Sequence, residues 1–319
     1  MRLSAILLIC LLCAFPVKAE EAAAQQIAQA YQLWRSGQAK AAIAILEPLL
    51  QPGTRFADER SLGMAWNVLG SSYFDVERHD EARRAYQHAM ELLRALPDER
   101  AQYASAIDNL GTVEQSLGQH QAAKALCQKA QQIYEQVGSM NGIVVASTNL
   151  AVIAYGQTDF KAARRYLEKA FEAAPHTMQM REDDWAALQL MKGALALHDR
   201  RNEEAMSAIQ QAIERWTRAY GPKYFMLADG YLLLARALAS SGDRAKAMVY
   251  AKHGMTLAEE VLGANTIGYL NAEAAYARVL GTCGEKHESK RLGKEASGAL
   301  AALEQRMCSG CTIDANGFR

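Results

Sequence analysis

The chain has 319 residues, half of them apolar, and only six are proline. A long disordered protein would contain fewer apolar residues, so the composition predicts a folded chain. The 35 basic residues equal the 35 acidic residues in number. Because there is no basic excess to neutralise phosphates, nucleic acid is not expected as a partner.

The first 19 residues differ from the rest of the chain. Arg2 is followed by an uncharged apolar run, residues 3–15, and small residues precede a polar stretch that begins at residue 20. This pattern is typical of a secretory signal peptide, and a run of 13 residues is shorter than the roughly 20 that a membrane span needs. We therefore predict a signal peptide over residues 1–19, cleavage after Ala19, and a periplasmic or secreted mature chain. An uncleaved anchor is the alternative; no later apolar run predicts a transmembrane segment.

The remainder of the chain repeats a pattern of small residues. One small residue is followed by a second 12 positions later and by a third 7 positions after that. Of the 21 positions so defined, 20 hold Ala, Gly or Ser, and the first members are separated by 40, 41, 40, 42, 42 and 42 residues. Chance would place these types at six or seven of the positions, since they make up about 30% of the chain. The seven triplets are Ala30, Ala42, Leu49; Gly70, Ala82, Ala89; Gly111, Ala123, Ala130; Ala151, Ala163, Ala170; Gly193, Ala205, Ala212; Ala235, Ala247, Gly254; and Ala277, Ser289, Ala296.

Helix packing explains why these positions are small. Two packed helices lie about 8–10 Å apart, and the side chains at their crossing set that distance. In four units a glycine lies between the first and second small positions, where a helix end favours a positive φ. In the fourth unit Thr158 and Asp159 stand there instead, and we interpret them as the N-terminal cap of the next helix. The glycines are Gly37, Gly118, Gly242 and Gly284.

The second unit carries the fullest signature, and its residues are Trp66, Leu69, Gly70, Tyr73, Ala82, Tyr86 and Ala89. This pattern resembles the tetratricopeptide repeat, whose marks are W-x-x-L-G-x-x-Y followed by alanines and an aromatic residue. The period near 42 exceeds the family's usual 34 and is similar to that of kinesin light chains. The resemblance implies an all-α fold, a right-handed α-solenoid of about seven antiparallel helix hairpins. We place this array at residues 20–305, followed by a C-terminal tail over residues 306–319.

The resemblance also implies a binding groove. Stacked hairpins of this family form a concave surface lined by the first helix of each hairpin. Asn109 and Asn149 match the family's groove asparagine, whose amide can both donate to and accept from a peptide backbone. Arg236 and Arg278 follow the first small residue in the last two units, and we expect an acidic feature of the ligand there. The predicted groove residues are Asn67, Ser71, Asp108, Asn109, Thr112, Thr148, Asn149, Arg236 and Arg278; each could instead be solvated groove lining.

Motifs of catalysis are missing from the sequence, including GxSxG, HExxH, GxGxxG and the phosphate-binding loop. We therefore predict a protein that is not an enzyme and has no cofactor or metal. His79 and His120 share a repeat position, and we interpret them as exposed turn residues in preference to metal ligands. Asp183 and Asp184 are interpreted as helix capping that complements the dipole. Cys127 occupies a large-residue position and is predicted to be a buried small hydrophobe.

Cys308 and Cys311 form a CxxC pair beyond the last predicted helix. A redox-active CxxC normally opens a helix that follows a strand, and haem attachment would need a histidine where Thr312 stands. Zinc needs four ligands, and only Cys283 and His287 could join the pair. We predict a local disulfide between Cys308 and Cys311, with a redox-active pair as the alternative.

Together these observations predict an exported protein–protein interaction scaffold. It would hold a peptide or protein in its groove, in envelope assembly or secretion. Two alternatives are a structural solenoid that self-associates and an accessory factor with a redox-active CxxC. The charged run at residues 285–291 is interpreted as a solvated face that caps the array, which favours a monomer over end-to-end assembly.

Overall fold

The computed structural model describes residues 20–54, 56–178 and 180–308, and the side chains up to residue 303. These residues form 14 α-helices in seven successive pairs and no strands, which confirms the predicted all-α fold. The helices are α1 (residues 20–35), α2 (Ala39–Leu49), α3 (Glu59–Asp75), α4 (His79–Arg94), α5 (Arg100–Ser116), α6 (His120–Gln136), α7 (Met140–Gly156), α8 (Phe160–Ala173), α9 (Glu182–His198), α10 (Asn202–Tyr220), α11 (Met226–Ser241), α12 (Arg244–Leu262), α13 (Ile267–Cys283) and α14 (Lys286–Cys308). Short 3₁₀ helices at Pro97–Glu99 and Ala174–His176 precede α5 and follow α8.

Both ends of the sequence carry predictions that lie outside the described residues. The signal peptide over residues 1–19 is one, and the disulfide that involves Cys311 is the other. Helix α14 continues through Cys308, three residues past the expected end of the array at residue 305. In the part of the chain that the structure describes, no helix is both long and apolar enough to span a bilayer.

The small residues of the repeat lie where helices cross. Every one of the 21 positions is buried except Ser289, which is half-buried. A Cβ atom added to Gly111 would lie 3.2 Å from the carbonyl oxygen of Ala123, and one added to Gly193 would lie 3.2 Å from that of Ala205. The first small residue of a pair therefore packs against the backbone at the second, which is the close approach that the pattern predicts.

The two helices of every pair are joined by the same turn. Seven residues after the first small position the backbone φ is positive in all seven pairs, between 61° and 107°. The next amide donates to the carbonyl oxygen five residues earlier in each pair, as in a Schellman motif. The four predicted glycines are confirmed here, whereas Glu77, Thr158 and Arg200 adopt the same conformation without being glycine. The fourth turn therefore has the same backbone conformation as the other six. Asp159 also caps α8 as predicted, because its side chain accepts a hydrogen bond from the Ala162 amide at 3.0 Å.

The chain divides into two compact units with a boundary after residue 110, inside α5. In the first unit, α2 packs on α3 and α3 on α4. Glu47 of α2 accepts a hydrogen bond from the Tyr73 hydroxyl at 2.8 Å and one from Arg78 at 3.0 Å. The Arg78 guanidinium also lies over the Tyr73 ring, 4.2 Å from its centroid. This network joins the first two helix pairs.

In the second unit the first helices of successive pairs contact one another, α7 with α9, α9 with α11, and α11 with α13. Contacts between successive second helices are not comparably extensive among the described residues. Instead, long side chains bridge an open cleft between α6 and α8, where Gln128 donates to the Tyr166 hydroxyl at 3.3 Å. Because the row of first helices is close and the row of second helices is spread, the first helices of this unit lie on the inside of a curve.

Two interpretations of single residues were wrong. His79, the first residue of α4, is 3% exposed rather than an exposed turn residue. Its ring packs against Phe74, and its Nε2 lies 3.4 Å from Glu77 Oε2, so the turn before α4 folds over it. His120 is half-buried, with Nδ1 2.9 Å from Gln115 Oε1.

The second correction concerns Asp183. It lies in the first turn of α9, near the positive end of the dipole as expected, but the cap position is Arg181. Its Oδ1 accepts hydrogen bonds from Trp216 Nε1 at 2.7 Å and from the Tyr224 hydroxyl at 3.0 Å. Asp183 therefore ties α9 to α10 and to the segment before α11.

The prediction for Cys127 is confirmed, because its side chain is fully buried.

Candidate functional site

The inside of the curve in the second unit presents two positions from each first helix. These are the residue two before and the residue one after the first small residue, which are three apart and so share one side of the helix. We call this surface the inner face. Its residues are Asn149 and Val152 of α7, Met191 and Ala194 of α9, Leu233 and Arg236 of α11, and Ala275 and Arg278 of α13.

Side-chain contacts tie this surface together. The Tyr155 hydroxyl of α7 donates to the Ala194 carbonyl oxygen of α9 at 3.4 Å, and the Asn149 amide donates to Thr112 Oγ1 at 3.4 Å. Ala194 and Met191 are 9% and 5% exposed, whereas Val152 is 43% exposed. Helix α9 therefore forms the buried floor of the inner face. Val152, on the neighbouring helix α7, is an apolar side chain in contact with solvent.

Arg236 and Arg278 lie at equivalent positions on the adjacent helices α11 and α13. Arg236 is half-buried and Arg278 is exposed. Neither guanidinium has a hydrogen-bond or ion-pair partner among the described residues. The nearest acidic residue on this side of α11 is Asp229, two helical turns away. The two positive charges thus lie on adjacent helices with no carboxylate paired to them in the part of the chain that the structure describes.

The pKa of Arg278 reflects its surroundings. Partial desolvation inside the curve and repulsion from Arg236 lower the pKa of Arg278, while Tyr155 acts in the opposite direction. Arg278 still reaches water, as expected for a side chain that stands within a concave surface.

The predicted asparagines of the first unit are also neighbours. Asn109 Nδ2 of α5 donates to Asn67 Oδ1 of α3 at 3.2 Å. Both side chains are half-buried. Two successive first helices are therefore joined by their amides, in the way that Asn149 reaches Thr112 in the second unit.

Three of the predicted groove residues do not present their side chains to solvent. Ser71, Thr148 and Asp108 are 7%, 4% and 1% exposed. The Ser71 hydroxyl accepts from the hydroxyl of Tyr86 on the paired helix at 3.1 Å, and the Thr148 hydroxyl donates to its own helix at the Val144 carbonyl oxygen. Thr148 and Asp108 lie one residue before the groove asparagines, and one residue turns a helix by about 100°. They consequently point into the packing rather than along the inner face.

Five apolar residues of the inner face are not among the nine groove residues predicted above: Val152, Met191, Ala194, Leu233 and Ala275. They occupy the same repeat positions as Asn149, Arg236 and Arg278. The register of small residues indicates their positions, but the predicted groove residues were chosen for polar side chains, so these apolar ones were not included. Among the described residues, no group of three or more His, Cys, Asp or Glu is arranged to hold a metal ion.

Comparison with known proteins agrees with this geometry. Family models described as the tetratricopeptide repeat match residues 61–136, 102–176 and 227–267. No curated protein sequence matches the chain. The fold is similar to the apo form of RapI, with a TM-score of 0.62, 11% identity, and coverage of 88% of this chain and 98% of that one.

Two further solved structures are similar. One is the Rap conjugation gene regulator of the plasmid pLS20 in complex with the Phr* peptide, with a TM-score of 0.60, 14% identity, and coverage of 92% of this chain and 98% of that one. The other is a chain of the APC/C hetero-tetramer Cut9-Hcn1, with a TM-score of 0.57, 18% identity and coverage of 86% of this chain. This chain spans 47% of that one, about half its length. At these identities the likeness concerns the fold alone.

Proposed function

Because this chain is a tetratricopeptide repeat protein, we propose that it is an interaction scaffold that holds a segment of another protein along the inner face of its second unit. The observation that carries the proposal is the row of four first helices, α7, α9, α11 and α13, on the inside of a curve. A similar fold binds a peptide in the complex of the pLS20 regulator with Phr*. The role requires binding alone, without catalysis or a cofactor.

An extended segment suits the chemistry of this surface. Val152 and the half-buried Leu233 offer apolar contact on either side of the α9 floor. Asn149 supplies an amide, which can pair with backbone groups whatever the ligand's side chains are. Apolar contacts and a backbone-directed amide together favour a peptide ligand over a small polar metabolite.

The test is selection of binding peptides from a random library of 12-residue sequences displayed on phage. We expect peptides that bind the wild-type protein to lose at least about tenfold in affinity for Val152→Asp, because a charge would replace apolar contact. Val249→Asp is the matched control, since Val249 is 67% exposed on the second helix α12. Equal losses in the two variants, or no selected peptide, would contradict the proposal.

We also propose that the scaffold is exported and acts in envelope assembly or secretion. The support is the charge and hydropathy pattern of residues 1–19, which resembles a signal peptide. N-terminal sequencing of the protein from the periplasm or culture medium should begin at Glu20. Recovery of the chain with residues 1–19 intact, in the membrane fraction, would instead indicate the uncleaved anchor.

A further inference from the structure

The pair formed by Arg236 and Arg278 is distinguished by its place, at equivalent positions of two adjacent first helices. Of the six other arginines with described side chains on the helices of this unit, three pair with carboxylates: Arg164 with Asp199, Arg215 with Glu182 at 2.7 Å, and Arg291 with Glu288 and Glu295. Arg236 and Arg278 have no such partner among the described residues. Desolvation and repulsion from Arg236 both lower the pKa of Arg278.

The position of the pair restricts what could neutralise it. The two guanidinium groups project from adjacent helices, whose axes lie about 8–10 Å apart. A single carboxylate between them can accept hydrogen bonds from both, and such charge-assisted bonds are about twice as strong as neutral ones. Partial desolvation inside the curve strengthens that attraction relative to an exposed ion pair. A carboxylate bound here would also remove the repulsion between the arginines.

The apolar part of the same surface supplies the second element of recognition. Leu233 lies one turn before Arg236 on α11, and Val152 rises from α7 across the α9 floor. A segment that reaches from Val152 to the arginines passes over apolar side chains before it meets positive charge. The positive charges and the apolar side chains therefore lie at different places along one surface. A matching ligand would carry its acidic group and its apolar groups apart in the same way.

We propose that Arg236 and Arg278 together bind one acidic side chain of an extended peptide whose apolar residues lie over Val152 and Leu233. The inference rests on the proposed function and specifies its ligand as a peptide segment with an apolar run next to an aspartate or glutamate. Arg236 and Arg278 determine specificity for the acidic residue, while Val152 and Leu233 supply contact with the apolar run.

The experiment compares the peptides that three proteins select from the random 12-residue library. The proteins are the wild type, the double variant Arg236→Gln, Arg278→Gln, and a control, Arg218→Gln, Lys252→Gln, which removes two exposed positive charges from the second helices α10 and α12. We expect the wild type and the control to enrich Asp or Glu at a fixed distance from apolar residues. The double variant should show no such enrichment.

A binding cycle then separates recognition from folding. A selected peptide and its Asp→Asn or Glu→Gln form, both labelled with fluorescein, are titrated with each protein by fluorescence anisotropy. For the wild type and the control, we expect the acidic peptide to bind at least about tenfold more tightly than the amide peptide. For the double variant the two peptides should bind equally, and their affinity should match that of the amide peptide for the wild type.

Three results would overturn the inference: no enrichment of acidic residues, an unchanged preference in the double variant, or an equal loss of preference in the control. If the selected peptides still depend on Val152, the proposed function stands and only the acidic specificity fails. If the wild type selects no peptide, both fail together.

Discussion

At the scale of single residues, the seven turns show how one backbone conformation is kept while its sequence varies. Four of the residues with positive φ are glycine, but Glu77, Thr158 and Arg200 carry a Cβ in the left-handed region. That conformation costs an ordinary L-residue about 1–2 kcal/mol. A β-branched residue such as Thr158 is among the least suited to it. The repeated Schellman hydrogen bond stabilises the turn despite this strain.

Thr158 offers a direct test of that strain. We expect Thr158→Gly to raise the free energy of unfolding by about 1 kcal/mol, because glycine adopts a positive φ without steric cost. Gly118→Ala, at the equivalent turn, should lower it by a similar amount. Urea denaturation followed by circular dichroism would measure both. A loss of stability in Thr158→Gly would show that its side chain contributes more than the backbone strain removes.

Tyr73 gives a prediction about pH. Burial, the hydrogen bond to Glu47 and the charge of Glu47 raise the pKa of Tyr73 to about 12. In the unfolded chain the hydroxyl loses its proton near pH 10. Between about pH 10 and 12 the folded state therefore binds more protons than the unfolded state, and the stability due to this group is present below pH 10 and falls as pH rises.

The loss at Tyr73 should reach about 2 kcal/mol by pH 12. Tyr73→Phe removes the titrating group, so its stability should decline less steeply than that of the wild type over this range. Parallel pH profiles of the two proteins in urea denaturation would contradict the assignment.

At the scale of helices, the register of small residues predicted the pairing of helices correctly because a close crossing admits only small side chains. Gly111 and Gly193 meet the backbone at Ala123 and Ala205 as that argument requires. The same register did not reveal that Thr148 is buried. Whether a polar side chain points into the packing depends on how its helix is rotated about its own axis within the pair. Spacing along the sequence predicts this rotation only to within about one residue, which is about 100°.

For the candidate site, the register predicted positions and not side-chain orientations. Asn149, Arg236 and Arg278 occupy the repeat positions that define the inner face, and that they bind a ligand stays a prediction. The burial of Ser71 could not be foreseen, because it depends on the Tyr86 hydroxyl of the paired helix. That no carboxylate within residues 20–303 pairs with the two arginines is likewise a property of the packed structure, not of the sequence pattern.

A pair of substitutions in α6 tests the crossing argument. Ala123 is fully buried at a crossing, whereas Ala125, on the same helix, is exposed. We expect Ala123→Leu to lower the free energy of unfolding by about 1–3 kcal/mol through overpacking. Ala125→Leu should leave it within about 0.5 kcal/mol of the wild type. Thermal denaturation of the two variants side by side would show the difference, and equal midpoints would contradict the register.

At the scale of the whole molecule, seven successive helix pairs explain how a neutral chain without catalytic motifs can have a specific function. A repeat array presents equivalent positions at regular intervals, so a few substitutions at those positions create a binding surface.

The last helix pair decides whether the array can stack on a second copy of itself. Residues 285–287 are exposed, and Arg291 of α14 pairs with Glu288 and Glu295 of its own helix.

This polar end predicts that the protein does not stack on copies of itself. Light scattering coupled to gel filtration should give the mass of one chain at micromolar concentration. A mass that grows with concentration would support the self-associating alternative.

Binding at the inner face can be examined in the cell by photo-cross-linking. A photoreactive benzoylphenylalanine is placed at Val152, on the inner face, or at Val249, which is exposed on the second helix α12. We predict that irradiation joins a partner protein to the Val152 probe and not to the Val249 probe. We also predict that Arg236→Gln, Arg278→Gln weakens the adduct formed at Val152. Adducts of equal yield from both positions, or from Val249 alone, would contradict the assignment of the inner face as the binding surface.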